Sequence, residues 1–207
     1  AYIERGRQVW QSMGVMQLGS IWGHGGYVAP DWGADWLHRE AVQMLDLWAR
    51  ADGGMATYAQ LPEEQQAALR GRLKAEIRRN TYDASTGTIT LSRDRVAAVS
   101  NVAAHYESLF GNDPTTAELR EGYAMKNNTV PDATHRRALT AFFWWTAWAA
   151  GTERPVAGET LAPDRTGVVA KQVTYTNNWP GEPLIDNTPP PSMWVWSAFS
   201  VLFLIAG

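Results

Sequence analysis

Between Gly19 and Glu40 the chain places five glycines, a proline, three tryptophans, a tyrosine, two histidines and three carboxylates within 22 residues. Exposing large aromatics forfeits the free energy of their burial, so an ordinary connecting loop carries few of them. Glycines interleaved with aromatics point to backbone pressed close against a surface, with side chains anchoring it. Any fold for this chain must give that stretch something to pack on. The whole chain, 207 residues with 11 tryptophans, is long enough for one good core.

The rest of the sequence reads as mainly α. Val9, Trp10, Met13 and Met16 have the spacing of a short amphipathic helix over residues 4–16, ending near Gly14 and Gly19. Residues 34–50 form a second, with Trp36, Leu37, Val42, Leu45 and Trp48 on its apolar face and Gly53-Gly54 as its stop. Leu61-Pro62-Glu63-Glu64 is a start signal for a half-exposed helix to about Arg79. The alternation from Tyr82 to Leu91 around Thr86-Gly87 predicts a small β-hairpin. Ser92-Arg93-Asp94-Arg95 then caps a helix that ends at Gly111, and a further helix is possible over about 116–123. Pro131-Asp132-Ala133-Thr134 starts a helix apolar around most of its circumference, either the central core element or a second membrane-proximal one. Residues 150–191 are rich in glycine and proline, with a possible strand over 168–175.

Composition removes several function classes. A net charge of −3 without any basic run gives no sign of nucleic-acid binding. The absence of cysteine excludes disulfides, thiolate metal sites and covalent haem attachment through Cys-x-x-Cys-His. His24, His38, His105 and His135 include no i, i+4 pair, and each reads as an ordinary surface or core histidine; His38 with Asp35 and Glu40 makes a polar cluster on one helix. Gly23-x-Gly25-Gly26 lacks the preceding strand of a dinucleotide fingerprint. No catalytic constellation is present. Carbonyls at Gly25, Gly26 and Tyr27 are candidate oxygen ligands for a hard cation such as calcium.

Met193 to Gly207 is fifteen residues without a charge, led in by Pro189-Pro190-Pro191 and fronted by Trp194 and Trp196. A bilayer span needs roughly 20 apolar residues. The run therefore reads as the beginning of a transmembrane helix, with a buried core helix as the alternative. This divides the chain into a domain over 1–190 and a membrane-entering segment over 191–207.

Gly23 to Trp32, continued by Ala34 to Glu40, resembles the signature of the quinol-dependent nitric oxide reductases, single-chain members of the haem-copper oxidase superfamily. Tyr175-Thr176-Asn177-Asn178-Trp179-Pro180, Thr140 to Trp145, and the proline-rich lead into Met193-Trp194-Val195-Trp196 match it as well. The resemblance implies a cytochrome c-like extracytoplasmic domain fused to the catalytic membrane domain of the same polypeptide. It implies a bacterial cytoplasmic membrane enzyme with this domain on the periplasmic side, reducing nitric oxide with electrons from quinol. Haem b, haem b3 and a non-haem iron would lie beyond this segment.

In the related two-chain enzymes Cys-x-x-Cys-His falls on Val15-Met16-Gln17-Leu18-Gly19. Val15, Leu18 and Gly19 thus stand in the two cysteine positions and the histidine position, so no haem c is expected. The vacated pocket is expected to be filled by side chains such as Trp22, Phe142 and Trp144. The resemblance further implies that Gly25 and Tyr27 help hold a structural calcium shared with the membrane domain, although Gly26 replaces the usual alanine. Two rival readings are a tryptophan-rich carbohydrate- or ligand-binding module, which needs Trp22, Trp32 and Trp179 exposed, and a helical interaction domain whose last helix folds into its own core.

Overall fold

The computed structural model describes residues 2–23, 26, 28–155 and 172–206. Helix α1 (Tyr2–Ser12) leads into a 3-10 turn at Val15–Leu18. Helix α2 (Trp32–Gly53) is followed by α3 (Glu63–Arg78) and a hairpin of β1 (Tyr82–Asp83) and β2 (Thr88–Ile89), in which Tyr82 pairs with Ile89. Then come α4 (Arg93–Leu109), α5 (Ala117–Gly122) and α6 (Ala133–Gly151). Strand β3 (Glu153–Pro155) pairs antiparallel with β4 (Gln172–Thr174), and α7 (Pro191–Ala206) closes the order. Among the described residues the architecture is mainly helical, with seven α-helices and two small sheets.

Local chemistry sets these boundaries. Asp31, Ser92 and Asp132 each accept a hydrogen bond from the backbone N–H three residues on, at Ala34, Arg95 and His135. These bonds satisfy donors that a helix start leaves without partners. The predicted second helix starts two residues earlier than expected, because Asp31 is its cap and Trp32 its first residue. Trp32, Trp36 and Glu40 then share one face at i, i+4, i+8, and all three are buried. Val42, expected on the apolar face, is only half-buried, while Ala41 and Met44 take the buried positions.

The first helix and the apolar sixth one pack so closely that a Cβ on Gly6 would sit 2.0 Å from the Ala138 carbonyl oxygen. Only glycine allows that approach. The core fills the space among α1, α2, α4 and α6. At its centre Trp32 stacks on Phe143 at 5.6 Å and meets Tyr106, Phe110 and Tyr123 edge-on. Trp36 stacks on Tyr106 at 5.0 Å, with 5° between the planes. One ion pair crosses this core: Arg95 Nε donates to Glu40 Oε1 at 2.7 Å, and Trp36 Nε1 donates to Glu40 Oε2.

The β3–β4 sheet adds to the one hairpin expected from sequence. Residues 168–171 of the predicted strand lie outside the described residues, and 172–174 are strand. Beyond it, a strap over 179–190 is tied to the helices. Arg78 donates from Nε to Ile185 O and from Nη2 to Asp186 O, and pairs with Glu153. Asn187 Nδ2 donates to Ala150 O and Pro180 O. The strap delivers the chain to α7, which has no buried residue. Leu204, Ile205 and Phe203 are 85%, 77% and 73% exposed. The last helix does not fold into the core.

Candidate functional site

The stretch singled out in the sequence is a loop closed at its base by Asp31. Ser20 and Asp31 form a bridge, in which Ser20 N donates to Pro30 O and Trp32 N to Ser20 O. The Asp31 carboxylate accepts from Ser20 Oγ at 2.8 Å, Gly23 N at 2.8 Å and Ala34 N at 2.9 Å. One buried side chain therefore caps α2 and fixes both arms of the loop. Nearer the tip, Gly26 N donates to Ala29 O at 2.9 Å. Gly25 and Tyr27, the expected calcium ligands, lie outside the described residues, as does His24. Among the described residues no cluster of three or more His, Cys, Asp or Glu is placed to hold a metal.

Asp31 was not singled out from sequence, although the N-cap spacing Asp31-x-x-Ala34 was there to read. Asp31→Ala is expected to cost roughly 1–3 kcal/mol for stranding the Ser20 and Gly23 donors, beyond about 1 kcal/mol for the lost cap. Hydrogen exchange should speed up at residues 20–31 more than in α4 or α6. A uniform change across the chain would show that Asp31 does not organise the loop.

On one flank of the loop Trp22 has a left-handed backbone (φ +53°), donates from Nε1 to Thr146 O at 3.0 Å, and lies 5.5 Å from the Trp145 ring. Trp145 in turn stacks on Phe142. The platform is partly open, since Trp22 is 36% exposed. Trp32 is fully buried and Trp179 is half-buried, so the exposed triad that a carbohydrate-binding module requires is not formed.

The Val15–Leu18 turn and its end at Gly19 carry no cysteine to attach a haem. Gly19 has φ +98°, and a Cβ there would lie 2.3 Å from Pro30 O and 2.6 Å from Trp32 Nε1. Trp32 Nε1 donates to Leu18 O. The expected fillers were Trp22, Phe142 and Trp144. Of these only Phe142 is buried; Trp22 lies at the surface and Trp144 is half-buried. The tryptophan that abuts the Val15–Gly19 turn is Trp32. It does so because it stands inside α2, one turn before Trp36, where its ring is directed into the helical core. With no cysteine and an indole packed on Gly19, the residues do not fit a covalent haem.

The polar cluster expected on α2 is not one cluster. His38 Nδ1 bonds Glu182 Oε2 of the strap at 3.0 Å, Asp35 takes Arg39 Nε and the Tyr106 hydroxyl, and Glu40 takes Arg95 and Trp36. Burial first, then the Asp35 charge, push the Tyr106 phenol well above its ordinary pKa. The Glu182 hydrogen bond holds His38 above its ordinary 6.5, whereas burial holds His105 below it.

The two histidines act oppositely on stability. The His38 contribution is complete below its unfolded pKa and fades as pH rises through its higher folded value. The His105 contribution is complete above about 6.5 and fades as pH falls through its lower folded value. His38→Gln should therefore lower Tm more at pH 6 than at pH 8.5, as thermal melts across that range will show. An equal loss at both pH values would contradict the His38–Glu182 linkage.

Residues 1–181 match the family model for the NorB cytochrome c-like domain of nitric oxide reductase. The chain belongs to that family. No curated protein matches it. The family makes this nitric oxide reductase chain part of a membrane-associated oxidoreductase, and the matched residues run from α1 through the beginning of the strap. The packing of α1 on α6 and the haem-incompatible turn at Val15–Gly19 are therefore features of a nitric oxide reductase cytochrome c-like domain without covalent haem.

Proposed function

We propose that this chain is the extracytoplasmic domain of a single-chain, quinol-dependent nitric oxide reductase, in which it caps the haem-bearing membrane domain and carries no electrons. The observation that carries this reading is the combination of a cysteine-free attachment turn with an indole seated on it. A domain that cannot hold haem c offers no relay for a cytochrome donor, and a quinol donor in the membrane needs none. The parent enzyme would reduce two nitric oxide molecules to nitrous oxide and water.

We further propose that 191–207 begins a membrane helix, with 1–190 as the domain outside the bilayer, on the periplasmic side. Among the described residues no helix is long and apolar enough to cross a membrane. Helix α7 has 16 residues, about 24 Å at ~1.5 Å per residue, against roughly 30 Å of hydrocarbon. It is uncharged and apolar on all sides, as lipid-facing helices are. Trp194 and Trp196 near its start suit the headgroup interface.

The loop closed by Asp31 is the proposed contact with the membrane domain, with Gly25 and Tyr27 contributing to a structural calcium there. Calcium would supply charge neutralisation between the two parts. Metal analysis of the intact membrane enzyme, before and after chelation, tests this. Bound calcium whose removal lowers the Tm of the enzyme is expected. An enzyme free of calcium, or one whose Tm is indifferent to chelation, would overturn the calcium reading.

A further inference from the structure

Away from the loop, the end of α3, the β1–β2 hairpin and the start of α4 line a half-open cavity of about 300 Å³. Arg95 forms part of its wall and is 2% exposed. Its Nε is held by Glu40, its Nη1 reaches Glu76 O only at 3.5 Å, and its Nη2 has no hydrogen-bond partner. A buried guanidinium left short of acceptors is costly, and in a native protein such a group calls for a bound water or ion.

The remaining wall decides between those two. Arg79, Thr81, Thr90 and Ser92 also line it. The Ser92 Oγ already accepts from Arg95 N, so its own proton is available to donate. Ser92 caps the 17-residue α4, so the positive dipole end of that helix lies at this wall. The acid in the wall, Glu76, is held by Arg79 at 2.7 Å. Asp94, in the first turn of α4, is instead engaged by Trp48 Nε1 and Arg72. The wall thus carries two guanidinium groups against one carboxylate. A neutral water would leave that positive balance in place, whereas an oxyanion offsets it while accepting from the free guanidinium nitrogen.

We propose that this cavity is a site for a small tetrahedral oxyanion of the phosphate class, held by Arg95, Arg79, Thr90 and the α4 N-terminus. Bound there, the anion ties α3, the hairpin and α4 together. The site is independent of the loop and of the electron donor.

The test is a titration of the full 207-residue chain in detergent with inorganic phosphate, at ionic strength fixed with chloride, followed by Tm and by 31P NMR line broadening. The expected result is a saturable rise in Tm with broadening of the phosphate resonance. Arg95 variants strand Glu40 and risk unfolding, so the informative variants are Arg79→Gln and Thr90→Val. Arg79→Gln should weaken the apparent affinity about tenfold or more, as loss of a charge-assisted hydrogen bond implies, and Thr90→Val should weaken it to a smaller extent. Absence of a saturable shift, its reproduction by chloride, or full retention of affinity in both variants would overturn the proposal.

Discussion

Replacing Trp32 with alanine is expected to remove about 3–5 kcal/mol of folding stability, a large share of the roughly 5–15 kcal/mol that holds a domain together. The indole is fully buried, stacks on Phe143, and is met by Tyr106, Phe110 and Tyr123. No neighbour can fill the void without leaving its own contacts, so most of the cavity would persist. Trp32→Phe separates packing from hydrogen bonding. It keeps a ring in place but deprives Leu18 O of its donor, so it should cost about 1–3 kcal/mol. Urea denaturation gives both values. A Trp32→Ala cost near that of an exposed substitution would mean that the attachment turn is not closed by this residue.

The second large effect is expected at the Glu40–Arg95 pair, whose side chains are 1% and 2% exposed. Glu40→Ala leaves the guanidinium buried without its carboxylate and should cost about 3–5 kcal/mol. Trp36 Nε1 would lose its acceptor at the same time. Pairing Glu40→Leu with Arg95→Met should recover much of that loss, because apolar replacement of a buried ion pair is often neutral or stabilising. A double-mutant cycle measures the coupling. If the double variant is no better than Glu40→Ala, the single-variant cost comes from lost packing and not from an abandoned charge. The same double variant removes the guanidinium from the oxyanion cavity, so phosphate should no longer raise its Tm.

Helix boundaries are readable where one residue type acts locally. Ser92 before Arg93 and Asp132 before Ala133 are caps whose partners lie three residues away, and both helices begin where the sequence places them. Asp31 obeys the same rule, yet the glycines around it favour a loop reading that starts α2 at Ala34. That two-residue difference hides the central finding, because it leaves Trp32 outside the helix and gives the role of filler to Trp22 and Trp144. The apolar circumference of α6 leaves a core and a membrane-proximal position open, and its packing on α1, α2 and α4 makes it the core helix.

What the sequence withholds depends on partners far along the chain. Glu40 and Arg95 are 55 residues apart, and His38 and Glu182 are 144 apart. No local pattern states which acid a buried arginine will find. The β3–β4 pairing joins Glu153 to Thr174 across a long connection, so only its second strand carries a signal. The family relation is legible in the Gly23–Glu40 signature, since that loop and the start of α2 are specified by contiguous residues.

Hydrogen exchange with mass spectrometry on the intact protein in lipid nanodiscs reports directly where the Asp31 loop and α7 sit in the whole enzyme. Slow exchange is predicted at residues 193–206, as slow as in α6, with protection of residues 20–31 beyond that of the β1–β2 hairpin, which faces solvent on its own. Rapid exchange throughout both segments would contradict that placement, leaving the loop and the helix without the membrane domain as their common partner.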